Sequence, residues 1–241
     1  MRYMNFWKKL KRILAKLFFW FFIISTGSVL LYRFVPVYFT PLMFIRSAEQ
    51  LFKGESPLFS RDWEPIENIS KYMPQAVIAS EDNLFMMHSG FDLKSMKKAH
   101  AKNKKGKRIR GGSTISQQTA KNVFLFPQRS YIRKGLEAYF TVLIELLWPK
   151  ERIMEVYLNV IETGDGIYGV EAAAQSYFRK SSANLSKSEA AGIAVCLPNP
   201  RKFNPTIKSS YISRRKSKII NLMSKIGTVD FSKGHKKKYR K

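Results

Sequence analysis

An uncharged run near the N-terminus constrains the fold most, because a stretch this apolar is stable only in a membrane or in a protein core. Residues 17–32 carry no charge, and as a helix these residues span about 24 Å. The hydrocarbon core of a bilayer is about 30 Å thick, and the apolar residues after Arg33 can extend the span. The run therefore predicts a transmembrane anchor at residues 17–36.

The charges that flank this run predict its orientation. The first acid in the chain is Glu49, whereas six cations precede the run and only Arg33 and Arg46 follow closely. Positive charge is retained on the cytoplasmic side of a membrane, so we expect a cytoplasmic basic segment at residues 1–16 and an extracytoplasmic remainder. A cleaved signal peptide is the alternative, but the run is long for one, and residues 25–28 lack an A-x-A site.

Beyond the anchor, the sequence predicts an all-α fold with at most a small hairpin, because no alternating strand pattern exceeds about four residues. Prolines recur between residues 36 and 74, so we expect residues 37–72 to form a juxtamembrane connector. Helix start and stop signals then follow one another. They predict a helical domain at residues 73–227 and a basic tail at 228–241.

Two kinds of local pattern locate individual helices. Pro74 at a first-turn position predicts a helix start, as do capping boxes at 114–117 and 186–189. Apolar residues at helical spacing predict the buried faces of two adjacent helices. We expect the first to bury Leu136, Phe140, Leu143 and Leu147, and the second to bury Ile153, Val156, Tyr157 and Val160.

Composition limits the classes of partner and site. The net charge of +26 predicts a polyanionic partner, which can be nucleic acid, an anionic membrane surface or a phosphate-bearing ligand. A single cysteine, Cys196, excludes an internal disulfide and a cysteine-rich zinc site. The apolar residues around it indicate a buried, inert thiol.

The stretch EDNLFMMHSGFD at residues 81–92 concentrates groups that can carry chemistry. Its side chains Glu81, Phe85, His88 and Asp92 are spaced to form one stripe of a helix. The stripe is compatible with a metal site, a catalytic acid/base site or a polar helix end. A metal site is the weakest of the three, because no second histidine lies nearby.

A long basic stretch follows. Residues 93–136 contain no acid and many lysines and arginines, and Glu137 then stands alone among these cations, which favour its ionised form. The simpler interpretation is a solvent-exposed basic face in which Glu137 forms one compensating ion pair. The alternative interpretation is an anion-binding site with an acid at its edge.

The motif GGSTISQQTAKN at residues 111–122 favours the anion site. Thr114 and Gln117 can form a capping box, so a helix should start here and offer free N–H groups to a phosphate. Two glutamines and an asparagine are unusual in a core helix but suit the hydroxyl groups of a sugar.

Four blocks together resemble a known family. The stretches at 81–92 and 111–122, RKGLE at 133–137 and KERIMEVYLN at 150–159 occur in this order. They are similar to the signature blocks of glycosyltransferase family 51, the peptidoglycan glycosyltransferase domain of penicillin-binding proteins. The similarity covers about residues 70–225, and we expect a stand-alone member. One departure is Arg179, which stands in YFRK where the family commonly has glycine.

The resemblance implies a lysozyme-like helical domain that polymerises lipid II. The growing glycan on its lipid pyrophosphate is the donor, and the C4 hydroxyl of the next lipid II is the acceptor. Transfer should invert the donor carbon without a covalent enzyme intermediate. A lysozyme-like enzyme that cleaves glycan and a membrane-tethered polyanion-binding protein are the alternative functions.

The resemblance also implies roles for individual residues. Glu81 matches the catalytic base, and Glu137 matches a second glutamate that orients cations, or a divalent metal, at the pyrophosphate. Substrate-binding positions are Ser113, Thr114, Gln117, Gln118, Lys121, Arg129 and Arg133. Supporting positions are Asp82, Phe85, His88, Asp92 and Asn159.

Further expectations concern cofactors and partners. No organic cofactor is expected, while a divalent cation such as magnesium near Glu137 is left open. The expected partners are lipid II, the growing glycan strand and membrane lipids, with cell-division or elongation proteins as further candidates, and no nucleic acid. The basic stretch 94–110 should meet anionic headgroups or cover the donor. The expected location is the bacterial inner membrane.

Overall fold

The computed structural model describes residues 2–54, 60–94, 97, 112–128, 130–207 and 209–233. The basic stretch 94–110 therefore lies almost wholly outside the described residues, as do Arg129 and most of the basic tail. The chain divides into two compact units, Met1–Pro36 and Val37–Lys241.

The first unit is a single long helix, α1, which runs from Arg2 to Tyr32. Its part from Phe6 to Tyr32 is long and apolar enough to cross a membrane by length and composition. Bulky side chains such as Phe18, Phe19 and Trp20 are exposed along it, as an anchor that faces lipid requires. The helix also continues through the basic residues that precede the uncharged run.

The second unit is built from helices. They are α2 (Pro41–Phe52), α3 (Tyr72–Glu81), α4 (Ile115–Phe124), α5 (Tyr131–Leu147), α6 (Lys150–Val160), α7 (Val170–Phe178), α8 (Lys187–Cys196) and α9 (Ser210–Ile226). Short 3-10 turns lie at Ile66–Asn68, Ser182–Asn184 and Phe231–Lys233. The prediction of a mainly helical domain is confirmed.

A small sheet accompanies the helices. The strands β2 (Glu162–Gly164) and β3 (Ile167–Tyr168) form the antiparallel hairpin that the sequence allowed. A further strand, β1 (Ser60–Arg61), pairs in parallel with β3, which gives the order β1-β3-β2. The sheet is thus one strand larger than expected, because part of the connector pairs with the hairpin.

Two helix clusters form the core of this unit. In one, α3 packs against α8 and α9, and α4 packs against α5 and α6 in the other. Small residues of α8 such as Ala190, Ala191 and Ala194 are fully buried, which lets neighbouring helices approach closely. Cys196 at the end of α8 is buried as predicted, and burial raises the pKa of its thiol to about 12.

Helix boundaries follow the predicted signals in most places. Thr114 and Ser186 both form complete capping boxes, and Gly227 ends α9 with a φ of 71°. Arg179 ends α7 in the left-handed conformation, with a φ of 53° and a ψ of 42°. This is the conformation for which glycine has no steric cost, so the departure from the family pattern falls on a helix C-terminus.

Two local expectations are wrong, and one helix was not predicted. Residues 82–92 do not continue α3, because Asp82 leaves the helix with a φ of −154° and Gly90 has a φ of 88°. The stripe of Glu81, Phe85, His88 and Asp92 therefore does not form. The proline-rich connector holds the twelve-residue helix α2, because Pro41 occupies its first turn, where a proline N–H is not needed.

The second error concerns the buried face of α5. Glu137, Phe140, Thr141 and Ile144 are buried, whereas the predicted leucines at 136, 143 and 147 are only partly buried. The face is rotated because two polar residues point inward, which a pattern of apolar residues cannot reveal. The face of α6 is confirmed, since Ile153, Val156, Tyr157 and Val160 are all fully buried.

Candidate active site

The half-buried carboxylate of Glu81 lies at the C-terminal end of α3 and is held by two neutral donors. The Ser80 hydroxyl lies 3.0 Å from Glu81 Oε1 and 3.3 Å from the carbonyl oxygen of Ala194. The side-chain amide of Gln118 donates from Nε2 to Glu81 Oε2 over 3.3 Å. Glu81 therefore has a defined orientation, and no ion pair to it is found among the residues that the structure describes, as suits a proton acceptor.

Asp82 connects the end of α3 to the start of α4. Its Oδ2 accepts from the backbone N–H of Ile115 over 3.0 Å, and the Nε2 atom of His88 lies 2.9 Å from the same oxygen. The carboxylate thus occupies the N-terminus of α4, where unpaired N–H groups favour negative charge. Asp82 and His88 fix the two helix ends relative to each other, next to Glu81.

A cavity of about 150 Å³ opens beside Glu81. Its lining includes two acids, Asp82 and Asp92, and two hydroxyl-bearing residues, Ser113 and Thr114. The predicted base and two predicted substrate-binding residues therefore border the same space. It is lined by Glu81, Asp82, Asn83, Leu84, Asp92, Gly112, Ser113 and Thr114.

The second predicted glutamate, Glu137, is the centre of a cationic cluster. Its side chain is 3% exposed, and its Oε2 accepts from the Arg133 guanidinium over 2.8 Å, while Oε1 pairs with the Lys134 ammonium. Lys134 also lies 3.4 Å from the hydroxyl of Ser113. Because Ser113 borders the cavity, the cluster and the Glu81 carboxylate flank one site.

Lys121 on α4 belongs to the same cluster. Burial lowers the pKa of its ammonium below the usual 10.5, although the charge of Glu137 acts in the opposite direction. The neighbouring charges of Arg133 and Lys134 lower it further. Three cations thus surround one buried carboxylate, an excess of positive charge that an anionic group can balance.

Two predicted substrate-binding residues are engaged in helix capping. Thr114 accepts from the N–H of Gln117, and Gln117 Oε1 accepts from the N–H of Thr114 over 3.0 Å. The Thr114 hydroxyl also donates to the carbonyl of Gly90 over 2.6 Å. Both side chains are buried, so their contacts here are with protein, and Ser113 and Gln118 remain partly accessible.

The remaining supporting residues lie in different places. Phe85 is fully buried, and the Lys150 ammonium lies 4.5 Å from the centre of its ring. Asn159 lies on α6 and exchanges two hydrogen bonds of 2.8 Å with the backbone of Glu64. It therefore holds the connector to α6 and does not reach the Glu81 carboxylate by any hydrogen bond among the described residues.

A buried ion pair beside the site was not predicted. Lys150 lies 2.7 Å from Glu145, with side chains that are 8% and 5% exposed, and Ser116 of α4 also binds Glu145. Burial lowers the pKa of Lys150, while Glu145 opposes that shift. The pair connects α4, α5 and α6 behind Phe85, and sequence spacing gives no signal for it.

Two further residues at the site were missed as functional groups. Lys134 follows Arg133 directly, so the basic RKGLE motif contained a signal for it. The hydroxyl of Tyr157 donates to Gln118 Oε1 over 3.3 Å, but Tyr157 was predicted only as a core residue because it lies on the apolar face of α6. Helical spacing of apolar residues predicts that the tyrosine ring is buried, but it does not show whether the hydroxyl makes a hydrogen bond at the site.

The residues around Glu137 do not supply a ligand set for a divalent cation. Both oxygens of its carboxylate already face cations, which compete with a metal for the same lone pairs. Within the described ranges, no group of three His, Cys, Asp or Glu side chains is placed to hold an ion. We derive no chemical step through a metal, and the cation left open by the sequence stays a prediction.

Comparison with known proteins identifies relatives of the chain. The family model described as transglycosylase matches residues 50–224. A biosynthetic peptidoglycan transglycosylase of Bdellovibrio bacteriovorus is 54% identical over 215 residues, covering 89% of this chain and 86% of that protein. One from Bacteroides thetaiotaomicron is 53% identical over 217 residues, covering 90% and 88%. One from Pseudomonas syringae pv. syringae is 47% identical over 223 residues, covering 92% and 94%.

Proposed function

Because the chain belongs to the transglycosylase family, we propose that it is a membrane-anchored peptidoglycan glycosyltransferase that polymerises lipid II with Glu81 as the general base. The relatives that carry the name biosynthetic peptidoglycan transglycosylase support the reaction class. The arrangement of Glu81, the cavity and the cations around Glu137 supports the assignment of roles.

The proposed step is a single displacement. The C4 oxygen of the acceptor forms a bond to the donor C1 carbon while the bond from C1 to the pyrophosphate oxygen breaks. The acceptor hydroxyl proton moves to Glu81, and the electron pair of the broken bond leaves with the pyrophosphate. Attack opposite to the leaving group inverts C1, and Glu81 then returns its proton to solvent.

The cations receive the charge that develops on the leaving group. Lys121, Arg133 and Lys134 are already assembled before substrate binds, so little reorganisation is required as the bond breaks. Glu137 keeps them together despite their mutual repulsion, and we assign it this role rather than proton transfer. Arg129 and the polar side chains of Ser113, Thr114, Gln117 and Gln118 remain proposed substrate contacts.

One observation favours this function over glycan cleavage. A glycosidase of the lysozyme type uses two carboxyl groups, one as acid and one as nucleophile or base. Here the second carboxylate, Glu137, has both oxygens paired with cations. A cationic cluster at that place can stabilise the negative charge of a departing pyrophosphate. Hydrolysis of finished glycan releases no phosphate and has no need of such a cluster.

The anchor helix supports a location beside the substrate. Lipid II is held in the bilayer by its lipid, so an enzyme tethered there searches in two dimensions. From the positive charge before the apolar run, we propose that α1 crosses a bacterial inner membrane once, with its N-terminus in the cytoplasm. The catalytic unit then lies on the outer side of that membrane.

The experiment that tests the function compares three substrates. The full chain in detergent is incubated with labelled lipid II, with finished peptidoglycan and with single-stranded DNA. We expect glycan polymer from lipid II and neither cleavage of the peptidoglycan nor tight DNA binding. Cleavage of peptidoglycan without polymer from lipid II would support the lysozyme-like alternative instead.

A further inference from the structure

Two hydrogen bonds in series lead from the Glu81 carboxylate to the buried hydroxyl of Tyr157. Gln118 Nε2 donates to Glu81 over 3.3 Å, and Gln118 Oε1 accepts from the Tyr157 hydroxyl over 3.3 Å. The three residues come from α3, α4 and α6. We propose that Tyr157 is a positioning residue for the base, acting through the side-chain amide of Gln118. The inference rests on the proposed function, in which Glu81 takes the proton.

The orientation of the Gln118 amide is the feature that Tyr157 controls. An amide has a donor end and an acceptor end, and rotation by a half turn exchanges them. The donor end must face Glu81, because the acceptor end would place two electron-rich oxygens together. A hydroxyl that donates to the acceptor end selects the required orientation before substrate arrives.

Tyr157 is suited to be a permanent donor. Its side chain is fully buried, and burial raises the pKa of the phenol well above its usual value, with the charges of Glu81 and Asp82 as further causes. The phenol therefore keeps its proton at any pH at which the enzyme works. A half turn of the amide would also leave the buried O–H facing an NH₂ group, which costs free energy because a buried donor would lose its acceptor.

The position of the hydroxyl is fixed by the core rather than by a loop. Tyr157 lies on the face of α6 that also buries Ile153, Val156 and Val160. Helix α6 packs against α4, which carries Gln118. A hydrogen-bond donor on a packed helix moves less than one on a mobile segment. The Gln118 amide, and through it the Glu81 carboxylate, is therefore held in a narrower range of positions.

The variant Tyr157→Phe tests the inference, because it removes the hydroxyl and keeps the ring. We expect kcat on lipid II to fall about five- to tenfold, with KM nearly unchanged. The split between kcat and KM separates loss of positioning from weaker substrate binding. Tyr177→Phe is the matched control, because its hydroxyl lies 3.2 Å from the backbone carbonyl of Thr163. That control should leave kcat within about twofold of the wild type.

A double variant separates positioning from simple loss of packing. Once Gln118→Ala has removed the amide, Tyr157→Phe should change kcat by less than about twofold, because residues that act as a unit are not additive. A full five- to tenfold loss in that background would overturn the inference. An unchanged kcat in Tyr157→Phe alone would overturn it as well.

A spectroscopic readout distinguishes this inference from the proposed function. The full chain is labelled with ¹³C at glutamate carboxyl carbons, and the resonance of Glu81 is identified by its loss in Glu81→Gln. In Tyr157→Phe this resonance should change its chemical shift at constant pH, because the hydrogen bond from the Gln118 amide to the carboxylate is altered, whether or not Glu81 is the base. An active wild type with an unmoved resonance would contradict only the Tyr157 inference, whereas a wild type without polymer would contradict the proposed function.

Discussion

At the scale of residues, the site separates two tasks that both need carboxylates. Glu81 is held by hydroxyl and amide groups, while Glu137 is enclosed by Arg133 and Lys134. The first arrangement suits a group that must accept a proton, and the second suits one that must hold cations together. The environment of each carboxylate therefore assigns its task, although the two side chains are chemically identical.

Lys121 gives a prediction about the basic limb of the pH profile. Burial lowers the pKa of its ammonium, so charge that stabilises the leaving group is lost as pH rises through a value below 10.5. Lys121→Arg should move the basic limb of kcat/KM on lipid II to higher pH, because a guanidinium stays charged. The exposed Lys225→Arg serves as control. Identical basic limbs in the wild type and Lys121→Arg would rule out this role for Lys121.

At the scale of elements, sequence patterns predicted those features that local chemistry controls. The capping box at Thr114 and the buried face of α6 followed from spacing alone. The inward face of α5 did not, because Glu137 and Thr141 are buried by the tertiary site and not by their own polarity. Residues 82–92 were also misread, because Gly90 and the bond from Ile115 to Asp82 turn the chain away from the helix.

The C-terminus of α7 gives a stability prediction. Arg179 adopts the left-handed conformation there, which is strained for a residue with a Cβ atom. Arg179→Gly should raise the free energy of unfolding by about 0.5–1 kcal/mol, because relief of that strain exceeds the entropy that glycine adds to the unfolded chain. Chemical denaturation measures the change.

The converse substitution supplies the control for Arg179. Gly227 ends α9 with a φ of 71° and has open space where a Cβ atom would lie. Gly227→Ala should therefore lower the free energy of unfolding through backbone strain alone, with no steric clash. If Arg179→Gly lowers stability instead, contacts of the arginine side chain outweigh the strain at that position.

At the scale of the whole molecule, the class of protein could be predicted from the sequence alone. Apolar length and flanking charge predicted the anchor, and four blocks in order indicated the family. The hydrogen bonds that join α3, α4, α5 and α6 at the site could not be predicted, because they link residues far apart in sequence. The link from Tyr157 to Glu81 through Gln118 is the clearest example.

The orientation of the anchor gives a prediction at this scale. Replacement of Lys8, Lys9, Lys11, Arg12 and Lys16 by glutamine removes most positive charge before the apolar run. A C-terminal periplasmic reporter should then lose a large share of its signal, because the charge difference that sets the orientation is gone. Replacement of the same number of lysines and arginines in α9 is the control, and an equal loss of signal there would refute the orientation argument.

The most direct test of the account is the rate of polymer formation from labelled lipid II by Glu81→Gln. Glutamine keeps the size of the side chain and can still be held by Ser80, but it cannot accept the acceptor's proton. We expect polymer formation to fall by several orders of magnitude, on the order of 10³-fold or more, while Glu67→Gln, an exposed control, retains wild-type activity. Polymer formed by Glu81→Gln at a rate close to that of the wild type would contradict the central claim.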